Sequence, residues 1–245
     1  MVVSPVAAVA LPAAEADIVS ENRMYIEVND RKIWVEICGE GRPLIMLHGN
    51  GEDHTIFDKA AEVLKQEYTC YLPDTRGHGK SEPCTELHYQ DMADDILALM
   101  DQLDLRDVCL YGFSDGGIVG LLASMRTDRI TDLVVSGANL TPKGVKLFLR
   151  IIMKVMYKLK KDPKIRLMLE EPQITSEELS CIKARTLVLA GSRDLVRETE
   201  TRQIAESIPG AELRILKGEG HGSYIVHSEK IARILQEFLG KQKTG

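Results

Sequence analysis

Ser114, Asp194 and His221 are the residues of this chain whose types, order and surroundings suit nucleophilic acyl transfer. A serine hydroxyl is a weak nucleophile. It needs a base, the base needs an orienting carboxylate, and the oxyanion that develops needs donors. Ser114 stands in Gly112-Phe113-Ser114-Asp115-Gly116-Gly117, after the apolar run 108–111 and before the helix-compatible run 118–125. That is the pattern of a nucleophile held on a sharp strand-to-helix turn. Small neighbours are required because a Cβ two residues either side of the serine collides across the turn. Gly-x-Ser-x-Gly also arises by chance, and the plain alternative is an ordinary serine in a glycine-rich loop. The strand and helix on either side, and three further motifs in order, argue against that alternative.

His221 lies in Gly218-Glu219-Gly220-His221-Gly222, just after the apolar run that ends at Leu216. An imidazole between glycines can take and return a proton. His48 and His78 fall in other motif loops, His54 and His88 have no motif context, and His227 falls in a segment that reads as the last helix. Asp194 closes Gly191-Ser192-Arg193-Asp194 after the buried run 186–190, so it belongs at a strand's carboxyl end. Asp132 and Glu198 are rival acids that do not sit at such an end, and Asn139 offers only an amide at the preceding one. The order Ser, acid, His is the one expected on an open α/β sheet. Two backbone N–H groups should serve the oxyanion: that of Asp115, next to the nucleophile, and that of Asn50, in His48-Gly49-Asn50-Gly51. The Asp115 side chain has two readings. It favours the first turn of a helix through the dipole, or it meets a cationic substrate group.

The elements that must position these residues alternate along the chain. Segments 24–28 and 32–37 alternate in the strand manner around Asn29-Asp30, as a hairpin does. Strands are expected at 43–47, 68–72, 108–111, 132–136, 186–190 and 212–216, with helices at 56–67, 92–103, 118–125, 199–208 and 225–239. Such alternation predicts a largely parallel sheet covered on both faces. Residues 22–140 and 182–245 form this core, and 141–181 form a helical insert over the strand ends. In the insert, Lys143, Lys146, Arg150, Lys154, Lys158 and Lys161 make a basic face, and residues 147–159 supply an apolar one. The expected arrangement is a short lid whose apolar side covers the site, with Phe148 and Ile152 binding substrate. A plain surface helix and an amphipathic helix in transient contact with a membrane surface are the alternatives. Residues 1–21 are expected to be a disordered arm, with a signal peptide as the lesser reading.

At 245 residues and 44% hydrophobic content, the chain has the size and composition of one large globular domain. A net charge of −6 and a basic face with little aromatic content argue against nucleic acid as a partner. The five cysteines are odd in number and scattered, as in a reducing, cytoplasmic setting. No transmembrane run is present, no Cys/His cluster has metal-ligand spacing, and Gly79-Lys80-Ser81 lacks the earlier glycine of a phosphate loop. No metal or cofactor is expected.

Taken in order, His48-Gly49-Asn50-Gly51, Asp74-x-Arg76-Gly77-His78-Gly79-x-Ser81, the Ser114 turn, Gly191-Ser192-Arg193-Asp194 and Gly220-His221-Gly222 resemble the motifs of the α/β-hydrolase superfamily. The resemblance spans residues 24–239. It implies the α/β-hydrolase fold, with a mostly parallel eight-stranded sheet whose second strand is antiparallel. It also implies hydrolysis of an ester, amide or lactone through an acyl-enzyme. Relatives with an aspartate nucleophile are disfavoured by Ser114. The Ser-Asp-Gly-Gly sequence is similar to that of the biphenyl-hydrolase-like, valacyclovirase-like branch. The function expected is a serine hydrolase of small carboxylic esters. The alternatives are a C–C bond hydrolase, lactonase or perhydrolase on the same fold, or an idle ligand-binding module.

Overall fold

The computed structural model describes residues 22–240. The arm expected over residues 1–21 lies outside them. β1 (Asn22–Val28) and β2 (Arg31–Cys38) form the hairpin. Asn29 and Asp30 turn it with φ of 49° and 58°, the left-handed pair that a two-residue turn demands. β3 (Arg42–Leu47), β4 (Tyr68–Pro73), β5 (Val108–Phe113), β6 (Ile130–Ser136), β7 (Arg185–Arg193) and β8 (Glu212–Gly220) complete an eight-stranded sheet of order β1-β2-β4-β3-β5-β6-β7-β8. β2 is antiparallel to both neighbours, and every pair from β4 to β8 is parallel.

Parallel neighbours need crossovers, and helices supply them. α1 (Asp58–Leu64), α2 (Tyr89–Gln102) and α3 (Asp115–Ser124) come first. An insertion of α4 (Leu147–Lys160), α5 (Pro163–Glu170) and α6 (Ser176–Leu179) stands between β6 and β7. α7 (Glu198–Ser207) and α8 (Lys230–Leu239) follow. α2, α3 and α7 pack one face of the sheet through Met92, Ile96, Ile118 and Ile204. α1 and α8 pack the other through Ala60, Leu64, Ile231 and Leu235. β5 is buried along its whole length between these layers, which is why its sequence is continuously apolar and does not alternate.

Two expectations are corrected. The last helix begins at Lys230, not at 225. Tyr224 and Ile225 are buried anchors of a turn, and His227 has φ of 50° with its N–H bonded to the Ile56 carbonyl. The apolar spacing there reflects a packed turn. The second correction concerns the insertion. α4 turns Leu149, Met153 and Tyr157 inward against Val145 and Ile165. Phe148 and Ile152, expected on the covering side, are 57% and 47% exposed. The entry to α4 sets this rotation: Val145 bridges Val196, and the Lys146 N–H bonds to the Leu195 carbonyl.

Candidate active site

β5 ends at Phe113 and α3 starts at Asp115, so Ser114 alone makes the turn. Its backbone has φ 53° and ψ −117°, a region that non-glycine residues rarely occupy. The surrounding packing imposes it. The Ser114 N–H bonds to the Ser136 carbonyl on β6 at 2.7 Å, and its carbonyl accepts from Gly117 at 2.9 Å. A Cβ on Gly112 would stand 2.2 Å from the Gly116 carbonyl oxygen, and one on Gly116 would stand 2.2 Å from that of Leu47. These are the steric reasons for the two glycines.

β7 and β8 bring the other two residues to the same end of the sheet. Ser114 Oγ lies 3.0 Å from His221 Nε2, and His221 Nδ1 lies 2.6 Å from Asp194 Oδ1. With Nδ1 protonated toward Asp194, Nε2 is free to accept the serine proton. Asp194 is buried, and its carboxylate also accepts from the N–H groups of Val196 at 3.0 Å and Gly191 at 3.3 Å. Burial pushes this carboxyl up, but the His221 hydrogen bond and the backbone donors outweigh it and hold it below the usual carboxylate range. Gly137 keeps the space open: a Cβ there would fall 2.8 Å from His221 Cε1. The rival acids are engaged elsewhere. Asp132 is buried between Arg42 and Arg185, each at 2.6 Å, and Glu198 pairs with Arg202 on its own helix.

The other motifs build the frame. His48 is buried, with Nδ1 against the Gly49 carbonyl and Nε2 accepting from the Thr75 N–H. Burial lowers its basicity, which suits a neutral structural imidazole. Arg76 is clamped by Asp95 and Asp91. Asp53, His54 and Asp74 bring donor atoms within 4.8 Å of one another. Asp74 already accepts from both the N–H and the ring of His54 and from the Lys80 N–H, and none of the three lines the space over Ser114. That cluster is a loop brace.

A cavity of about 160 Å³ lies over Ser114 and His221. Val145, Leu149, Met153, Met168 and Val196 supply apolar wall, and Asn50, Glu52 and Asp115 supply polar wall. Phe148 and Ile152 do not line it. Leu149 and Met153, on the other side of α4, stand where those two were expected. Glu52 also escaped the sequence reading; it accepts from the Gly49 N–H at 3.0 Å, and burial pushes its carboxyl up. Its place three residues after Gly49 in the His-Gly loop was the available signal. Asn50 and Asp115 do meet: Asn50 Nδ2 donates to Asp115 Oδ2 at 2.8 Å and to the Lys164 carbonyl at 3.2 Å.

A strained serine on an elbow, a histidine held by a buried aspartate behind it and a three-helix insertion above it define a serine hydrolase with the α/β-hydrolase fold. A family profile described as alpha/beta hydrolase fold matches residues 42–162. The chain is 28% identical to the AB hydrolase superfamily protein YisY of Bacillus subtilis, over 87% of this chain and 98% of that one. It is 25% identical to mouse Serine hydrolase BPHL, over 87% and 85%. In structure it is similar to an esterase from Exiguobacterium antarcticum, with TM-score 0.79 and 23% identity over 89% of this chain and 99% of the other. It also resembles the meta-cleavage product hydrolase CumD of Pseudomonas fluorescens, TM-score 0.74 at 20% identity over 89% and 97%. The enol-lactonase of Burkholderia xenovorans gives TM-score 0.74 at 20% identity over 89% and 100%.

Proposed function

We propose that this protein hydrolyses a small, neutral carboxylic ester or lactone through an acyl-enzyme on Ser114. The observation that carries the reading is the wall of the cavity. It is largely apolar, it holds the Glu52 and Asp115 carboxyls, and among the described residues no lysine or arginine lines it. A carboxylate-bearing substrate would enter against two acids with no cation to meet it, whereas an uncharged acyl group loses nothing there.

In this reading Ser114 attacks the carbonyl carbon as His221 Nε2 takes the hydroxyl proton. Asp194 holds the ring and stabilises the imidazolium. The backbone N–H groups of Asn50 and Asp115 receive the oxyanion. His221 then returns the proton to the departing alkoxide, and water repeats the sequence to release the acid. The likeness to an esterase and to an enol-lactonase supports ester chemistry. The likeness to the meta-cleavage product hydrolase favours a second reading, in which the same triad cleaves a C–C bond next to a carbonyl. The Ser-Asp-Gly-Gly elbow and the identity with mouse Serine hydrolase BPHL support kinship with the biphenyl-hydrolase-like branch.

A fluorophosphonate probe should label the protein and fail to label Ser114→Ala. A panel of p-nitrophenyl esters, aliphatic lactones and a diketone then separates the readings. Ester or lactone kcat/KM should exceed that for the diketone by at least about tenfold. The reverse order would move the assignment to C–C cleavage.

A further inference from the structure

The outer face of α4 is an unpartnered apolar stripe. Leu147, Phe148, Ile151, Ile152, Val155 and Leu159 are each about half exposed or more, and Met156 is 39% exposed. Among the described residues, the other exposed large hydrophobics are Met24 and Tyr25 at the start of β1, so the apolar surface is concentrated on one helix of 14 residues. Arg150, Lys154 and Lys158 recur every four residues and form a row along one side of the stripe. No carboxylate pairs with these three among the described residues. Residues 141–170 hold nine lysines and arginines against Asp162 and Glu170, in a chain whose total charge is −6. Charge has been gathered here, beside exposed apolar groups, and not spread over the surface.

We infer that this face of α4 docks the protein on a lipid bilayer carrying anionic headgroups. A helix that lies in the interface buries its apolar side among acyl chains and sets its cations at the headgroup level. α4 has both features in adjacent strips. A second copy of the chain fits less well, because pairing two such faces brings two basic rows together with no acid between them. The inference does not depend on the substrate. Leu149 and Met153 line the cavity from the opposite side of the same helix, so docking leaves the triad and its walls untouched.

The test is flotation of the full chain with vesicles of phosphatidylcholine alone and with about 30 mol % phosphatidylglycerol added. The wild type should bind the anionic vesicles at least about tenfold more than the neutral ones, and salt should weaken that binding. Lys154→Glu with Lys158→Glu should abolish the anionic preference. Ile151→Ser with Val155→Ser should lower binding by about tenfold or more. Turnover of p-nitrophenyl acetate without vesicles, measured on the same samples, should stay within about twofold of wild type, because none of the four residues lines the cavity. Failure of the wild type to bind anionic vesicles would overturn the inference. So would binding indifferent to both variant pairs. A wild-type dimer that becomes monomeric in Ile151→Ser/Val155→Ser, with no vesicle binding, would assign the face to a second copy instead. Loss of ester turnover by the wild type would count against the hydrolase reading and leave the docking result standing.

Discussion

Asn50 Nδ2 donates to Asp115 Oδ2 at 2.8 Å and joins the loop after β3 to the start of α3, 65 residues apart in the chain. These are the two residues whose backbone N–H groups are proposed to hold the oxyanion. Asp115 is buried, and the Tyr89 side chain is its second hydrogen-bond partner. Two of its acceptor sites are therefore used inside the protein. This favours a positioning role over a meeting with a cationic substrate group. Asp115→Ala should lower kcat by about 10–10²-fold with little change in KM, since a donor is displaced but no substrate contact is lost. A tenfold preference of the wild type for an amino-acid ester over its deaminated analogue would restore the charge reading.

The same residue makes stability depend on pH. Burial pushes its carboxyl up to about 6, against the opposing pull of the Asn50 and Tyr89 hydrogen bonds. The folded state therefore holds this proton more tightly than the unfolded chain. Its contribution is favourable below the ordinary carboxylate range and falls away as pH rises from about 4 to about 6. Asp115→Asn should remove a decline on the order of 2–3 kcal/mol across that window. Urea unfolding of both proteins at several pH values measures it, and equal slopes would refute it.

Ser114 trades stability for exposure of its hydroxyl. Ser114→Gly should relieve the φ of 53° and raise stability by about 1 kcal/mol or more. Turnover should fall by about 10⁴–10⁶. Thermal melting and ester hydrolysis on one preparation check both. A glycine variant less stable than wild type would show that the elbow is not strained.

Asp194→Asn should keep the fold and lower kcat by about 10³–10⁴, because the amide cannot hold the productive imidazole tautomer. Asp132→Asn should behave in the opposite way. It removes the buried carboxylate shared by Arg42 and Arg185, while Arg42 keeps Asp107 and Arg185 keeps the Phe238 ring, so unfolding should become easier by about 1–3 kcal/mol while kcat of the folded fraction is kept. Active-site titration of both variants separates the two effects.

Acyl-chain preference should follow the inner side of α4. Leu149→Ser or Met153→Ser should raise KM for octanoate esters more than for acetate, by roughly tenfold for the longer chain. Phe148→Ser and Ile152→Ser should leave the ratio of the two unchanged. If the outer pair shifts the ratio and the inner pair does not, α4 rotates before substrate binds.

The triad and most of the sheet were legible because their signals are local. The Ser114 elbow needs particular glycines within four residues, a buried parallel strand is apolar throughout, and the hairpin turn needs Asn29-Asp30. Position at a strand's carboxyl end then assigned Asp194 over Asp132, and the ion pairs of Asp132 with Arg42 and Arg185 agree. What the residues could not decide was rotation and partnership. Seven apolar residues on α4 specify an apolar stripe, but not whether it faces the protein. That was set by Val145 bridging Val196 and Lys146 bonding to Leu195, contacts made across some fifty residues of chain. Likewise Ile225 opens a run with the spacing of a helix, yet it packs with Tyr224 in a turn whose His227 N–H reaches Ile56. The use of the Asp115 carboxylate was also settled only when folding brought Asn50 and Tyr89 to it. Periodicity and motif are properties of neighbours along the chain. The facing of an amphipathic helix and the hydrogen bonds of a buried carboxylate depend on which distant groups arrive, and only the tertiary structure decides that.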